Sequence, residues 1–165
     1  MARENYLWLA ALIAAHPEGK VVGRTRLQKE VKLLQSLSFP TDYGYTIHFY
    51  GPYSESLYAD IGLLETMGYV KEECLSHGGN PYYVIESCGE GPINDVSAFQ
   101  HEIATMAAAD AVVLELAATY DAFRDLGADH AEALIRLRRK KGAKCNEGRE
   151  EKALKLLNDL SLPAA

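Results

Sequence analysis

The sequence predicts a mainly α protein with a small β-hairpin. Three observations predict it. Apolar residues recur at three- and four-residue spacing through most of the 165-residue chain. β-branched and aromatic residues dominate only around residues 43–51 and 69–87. Gly and Pro fall between the periodic segments, where they end helices or make turns.

The first helix is expected from about Arg3 to His16, with Tyr6, Leu9 and Ile13 in its apolar stripe and Pro17 and Gly19 ending it. "GRTRLQKEVKLLQSL" follows. There Thr25 and Gln28 have the spacing of a capping box, and Leu27, Val31 and Leu34 mark the core face. Pro40 closes that helix. "YGYTIHFYG", Tyr43 to Gly51, reads as one short strand. Gly51 and Pro52 then form a rigid structural turn, Ser54 caps a third helix that buries Leu57, Ile61 and Leu64, and Gly68 ends it. Two strand-like runs around Gly78, Gly79, Asn80 and Pro81 make a β-hairpin.

Helix, helix, strand, helix, hairpin is the order of a winged helix-turn-helix variant. We place this module in residues 1–90, with a boundary in "CGEGP", Cys88 to Pro92. Residues 91–165 read as a C-terminal helical region packed on it, with helices from Asn94 to Ala108, Asp110 to Gly127, Asp129 to Gly142 and Asn146 to Leu160. Asp129 with Glu132 has capping-box spacing.

Composition narrows the function. The 48% hydrophobic and 24% charged shares are ordinary for a globular protein. No run approaches the ~18 apolar residues that span a bilayer, so no membrane contact is expected and a cytoplasmic location is. Three cysteines, Cys74, Cys88 and Cys145, with no C-x-x-C pair fit free thiols. Phosphate-loop, dinucleotide and zinc-protease motifs are absent from the sequence. We therefore expect no enzyme activity, no cofactor and no metal. Cys74, His77 and Cys88 form the one constellation that hints at a metal site, and they lack a fourth ligand at zinc spacing.

The third helix sits where a DNA-reading helix would, but its outward residues are Glu55, Tyr58, Ala59, Gly62, Glu65 and Thr66. Two carboxylates and no cation suit a polyanion poorly. Eight of the ten tyrosines lie between Tyr43 and Tyr83. Tyrosine offers large, stiff contact area at interfaces. We therefore assign partner binding to an acidic, tyrosine-rich face of Tyr53, Glu55, Tyr58 and Glu65, the partner being another protein or a second copy in a homodimer. The alternative is a DNA-binding transcription regulator. It would use Arg24, Lys29 and Lys32 of the second helix, or Arg138, Arg139 and Lys140 within the basic run 136–144. Asp60 falls on the core-facing arc of its helix, and we expect it to pair with Arg24 or Arg26 and lock the second helix to the third.

"GRTRLQKEVKLL", "YGPYSESLYADIGLLETMGYV", "LAATYDAFRDLG" and "EKALKLLNDL" resemble the YwgA-like proteins of bacteria and archaea. They are more distantly similar to SocA-like (Panacea) antitoxin domains, which share an L-Q-K helix and a Y-G-P turn. The resemblance implies a winged-helix-like fold, and the second family implies work by protein–protein contact. Glu30 follows Leu27-Gln28-Lys29 where the resemblance implies an aliphatic residue.

Overall fold

The computed structural model describes residues 4–89 and 94–162. Arg3, proposed above as a helix start, and Glu90, Gly91 and Pro92 of the proposed boundary lie outside the described residues.

Helix α1 (Asn5–Ala15) is apolar all round and buries Leu9 to Ile13, so it runs through the interior. His16 adopts the extended conformation favoured before proline, and Pro17 stops the helix. Strand β1 (Lys20–Val22) follows. Three residues are too short to show a sequence period, and the strand was not expected. It exists because Val21 is buried opposite Ile85 of a later strand.

Helix α2 (Arg24–Ser36) buries eight consecutive residues, Leu27 to Leu34, four of them polar or charged. The capping box expected at its start does not form. Gly23, at φ +93°, occupies the N-cap, and Gln28 turns its amide to another segment. The single strand expected at 43–51 is in fact part of a tight hairpin. Strand β2 (Thr46–His48) pairs with β3 (Gly51–Tyr53) across Phe49 and Tyr50.

Helix α3 (Glu55–Thr66) begins at Ser54, whose hydroxyl accepts from the Leu57 amide, and buries Leu57, Ile61 and Leu64. Gly68 at φ +81° closes it while the Gly68 and Tyr69 amides bond Glu65 and Leu64 carbonyls. Strands β4 (Val70–His77) and β5 (Asn80–Ser87) form the expected hairpin. Positive φ at both Gly78 and Gly79 suits the two-residue turn that matches strand twist. The sheet order is β1-β5-β4.

The C-terminal region is helical, as expected: α4 (Gln100–Ala107), which starts later than the expected Asn94, α5 (Ala111–Asp125), α6 (His130–Lys141) and α7 (Arg149–Asp159). Asp110 and Asp129 cap α5 and α6 through their side chains. Helix α5 is buried from Val113 to Phe123 and packs on α2, β3, α6 and α7. One apolar core therefore runs through both segments, joining Leu27, Val31 and Leu34 to Leu114, Ala117 and Leu157. No described helix is long and apolar enough to cross a membrane.

Neither Arg24 nor Arg26 pairs with Asp60 as expected. Asp60 accepts from the Tyr43 hydroxyl at 2.6 Å and pairs with no arginine among the described residues. Arg24 makes a bidentate pair with Glu72 of β4, at 2.6 and 2.8 Å. Arg26 donates to the Met106 and Ala109 carbonyls at the end of α4. The expectation placed Asp60 by the arc of its own helix alone, but β4 and α4 compete for the arginines with better geometry. Glu30 is fully buried, as the expected aliphatic residue would be, and bonds His16 at 3.0 Å.

Candidate functional site

The two short motifs that carried the resemblance meet in space. Leu27 is core, and Gln28 clamps Ser54 from both sides. Its amide nitrogen donates to the Ser54 carbonyl at 2.9 Å, and its oxygen accepts from the Ser54 amide at 2.8 Å. A carboxamide satisfies one peptide donor and one acceptor in this way, replacing a missing strand partner. The clamp holds the entry to α3 against α2.

Gly51 fixes the other side. It adopts φ +101°, and a Cβ there would lie 2.8 Å from Thr119 Oγ1 on α5. Only glycine allows both that backbone angle and that approach. Thr119 is itself held by a hydrogen bond to the Glu115 carbonyl at 2.7 Å. Pro52 is buried beside it. The β2–β3 hairpin is thus seated on α5 while its tip points away from the core. Phe49 is 78% and Tyr50 58% exposed.

Between α2 and this hairpin lies a pocket of about 260 Å³, lined by Thr25, Gln28, Lys29 and residues 48–53. Rings make its walls and rim. Phe49 and Tyr50 meet edge to face at 5.1 Å, and His48 stacks on Tyr53 at 4.9 Å. Tyr53 lies 6.4 Å from Tyr58 on α3, and the Arg24 guanidinium sits 4.6 Å over the Tyr58 ring. The array runs unbroken from β2 to the exposed face of α3.

Beneath the pocket is a charge cluster built on one acid. Glu115 of α5 takes the Lys144 ammonium at 2.9 Å, Lys141 at 3.2 Å and Lys29 at 3.7 Å. Lys141 also donates to the Phe49 carbonyl at 3.0 Å, tying the end of α6 to the hairpin, and Lys144 lies 5.4 Å over the Tyr50 ring. Burial pushes Lys29 and Lys141 below the usual lysine value, Glu115 opposes that, and the neighbouring lysines add to it. For Glu115 burial alone would raise the carboxyl. The Lys144 hydrogen bond and the charges of Lys141 and Lys29 outweigh it, so the carboxyl sits below its ordinary value.

The structure keeps together the acidic and tyrosine residues that the sequence grouped and disperses the basic ones. Glu55, Tyr58 and Glu65 are exposed on α3 and Tyr53 is half-buried beside them, so these four share one region. Glu65 also accepts from the Glu72 amide, which ties it to β4. Lys29 and Lys32 are 6% exposed, and neither presents a cation on an outer face. Lys32 pairs with Asp121 at 2.8 Å and Asp125 at 2.7 Å. Arg24 is taken by Glu72. The physical reason is common to the three: α5 and β4 bring carboxylates that α2 alone does not show. Arg138, Arg139 and Lys140 are exposed on α6, with Arg138 held by Glu150 at 2.9 Å.

Cys74 and His77 are three residues apart on one strand, so they point to opposite faces of the sheet, while Cys88 lies beyond its far end beside Tyr69. No metal-ligating group of three occurs among the described residues. A larger cleft of about 790 Å³ lies between the end of α2, β2 and the end of α5. Its charged floor, Lys32 with Asp121 and Asp125, is already paired within itself.

Sequence reasoning missed Glu115, Thr119, Lys141 and Phe49. A signal existed for the first, a lone acid in the otherwise apolar run "VVLELAA". Lys141 was hidden within a run of exposed cations, and nothing local marks Thr119.

Over 61 residues the chain is 39% identical to the uncharacterized protein YwgA of Bacillus subtilis (strain 168). That stretch is 37% of this chain and 37% of the relative, so the chain spans little more than a third of the relative's length. The likeness supports the resemblance to YwgA-like proteins. No family model matches the chain. No solved structure matches it.

Proposed function

We propose that this chain is a non-enzymatic, winged-helix-like regulatory module that binds a protein partner through the β2–β3 hairpin and the exposed face of α3. The order α1, β1, α2, α3, β4, β5, with the β2–β3 hairpin inserted between α2 and α3, and the strand order β1-β5-β4 support the winged-helix reading. The observation that carries the functional reading is the set of rings on the seated hairpin and α3, the Phe49–Tyr50 pair and the series His48, Tyr53 and Tyr58. Rings fixed on a rigid support lose little entropy on binding, and such aromatic clusters are the usual anchors of interfaces. Beside them α3 presents Glu55 and Glu65, which suits a partner segment carrying Arg or Lys.

The nucleic-acid alternative loses half of its cations, because Lys29 and Lys32 are buried and Arg24 is bound to Glu72. The exposed Arg138, Arg139 and Lys140 remain to it. Capture of a partner from the native cell by the parent and by a Tyr53→Ala, Tyr58→Ala double variant tests the reading. The protein that counts is one that rebinds in purified form, is lost by at least tenfold with the double variant, and is kept by Lys155→Ala on the exposed side of α7. Equal binding by both proteins, or an unfolded circular-dichroism spectrum for the double variant, refutes the assignment of these rings.

A further inference from the structure

Three ammonium groups share the single carboxylate of Glu115, and they share it unequally. Lys144 and Lys141 lie at 2.9 and 3.2 Å, while Lys29 is left at 3.7 Å, longer than a hydrogen bond. Yet Lys29 is nearly fully buried and lines the hairpin pocket. A buried ammonium held only by one long, shared ion pair is poorly compensated, and a second acceptor placed in that pocket improves it. The formal charge of the cluster leaves two cations unbalanced, so the acceptor that fits is an anion.

We propose that the hairpin pocket receives a carboxylate side chain, Asp or Glu, from the protein partner, with Lys29 as its direct donor. The inference rests on the interaction reading above and adds the partner chemistry. At about 260 Å³ the space takes one side chain. The walls are aromatic, with His48 stacked on Tyr53 and Phe49 against Tyr50. They cover the methylenes of such a side chain and shield the ion pair from water, where a charge-assisted hydrogen bond is strongest. A positive pocket next to the acidic face of α3 also fixes how a partner docks. A carboxylate enters beneath the hairpin while basic residues lie along Glu55 and Glu65.

The test uses the full chain and a fluorescein-labelled hexaglutamate peptide, followed by fluorescence anisotropy at constant ionic strength. Hexaglutamate should bind, and Lys29→Met should weaken it about tenfold or more, the usual worth of a charge-assisted hydrogen bond. Tyr50→Ala, at the exposed rim, should weaken it about threefold or more. Lys155→Ala should leave it unchanged. Binding by Lys29→Met or by Tyr50→Ala equal to the parent overturns the proposal. So does full displacement of the peptide by inorganic phosphate at equal charge, which would make the pocket a site for a free anion. Loss of partner capture in the Tyr53, Tyr58 variant together with Lys29-independent peptide binding refutes the pocket and leaves the interface standing. Lys29-dependent peptide binding with capture that ignores the tyrosines refutes the interface instead.

Discussion

Replacing Glu115 with Gln removes one charge and strands three. In the parent, Lys144, Lys141 and Lys29 lie within 3.7 Å of that carboxylate, and the Glu115 side chain is 6% exposed. At these distances and an effective dielectric near 20, each attraction is about 5 kcal/mol before desolvation and mutual repulsion are subtracted. Most of that cancels, and breaking a buried pair from one side costs about 3 to 5 kcal/mol. Lys144 is 37% exposed and can swing into water. We therefore expect the low end, about 3 kcal/mol, or roughly 6–12 °C in melting temperature for a chain of this size. Urea unfolding followed by circular dichroism measures it, with an unchanged slope and a lower midpoint.

The pH dependence supplies a second check. The folded Glu115 carboxyl sits below 4.5, its ordinary value. It therefore binds its proton less readily in the folded chain than in the unfolded one. Its stabilisation is complete above that ordinary value and is lost as pH falls through the folded one. The gap between parent and variant should be full at pH 7 and should close on acidification below about pH 4.5. Lys29 and Lys141, held below their usual value, act at the other end: their penalty stands at neutral pH and is relieved as pH rises toward 10.5. Adding Lys29→Met to Glu115→Gln should recover part of the loss, since one uncompensated cation is gone. A Glu115→Gln protein that unfolds within about 0.5 kcal/mol of the parent at pH 7 would show that the cluster does not hold α5 to the hairpin.

Gly51→Ala should cost about 2–4 kcal/mol, from the positive φ and the 2.8 Å approach to Thr119. Thr119→Ala in the same chain should return only the contact part, and a Gly51→Ala protein as stable as the parent would refute the seating of β3 on α5. Gln28→Ala should cost about 2 kcal/mol by orphaning the buried Ser54 amide, while the Ser54 carbonyl keeps the Tyr58 amide, read as a lower urea midpoint. Asp60→Ala loses one hydrogen bond, from the Tyr43 hydroxyl, so about 1–2 kcal/mol is expected rather than the larger cost of a stranded arginine. The parent should bind random duplex DNA weakly at physiological salt, because α3 is acidic; a tight gel shift with a log–log salt slope of several phosphates would contradict it.

Much of the architecture is legible in the sequence because it is written in short-range patterns. The helical periods of α2, α3 and α5, the Ser54 and Asp129 caps, the Gly68 stop and the Gly78-Gly79 turn each depend on neighbours a few residues away. Where a local signal failed, a distant group had outbid it. Thr25 and Gln28 have the spacing of a capping box, but Gln28 gains two bonds to a buried peptide group in place of one to its own helix end. Strand β1 has no pattern of its own and forms because β5 offers an edge.

The sequence by itself determined the fold class, the acidic outer face of α3 and the concentration of tyrosines around it. Tertiary structure alone decided which charges face water. Lys29 and Lys32 look in the sequence like the exposed cations of a basic helix. They are buried because α5, some ninety residues on, brings Glu115 and Asp121 against them. The pairing of Arg24 with Glu72 and of Asp60 with Tyr43 has the same origin. Helical spacing reports which side a residue takes on its own helix, whereas a salt bridge depends on the distance to a carboxylate carried by another element. That distance is set by how the elements pack.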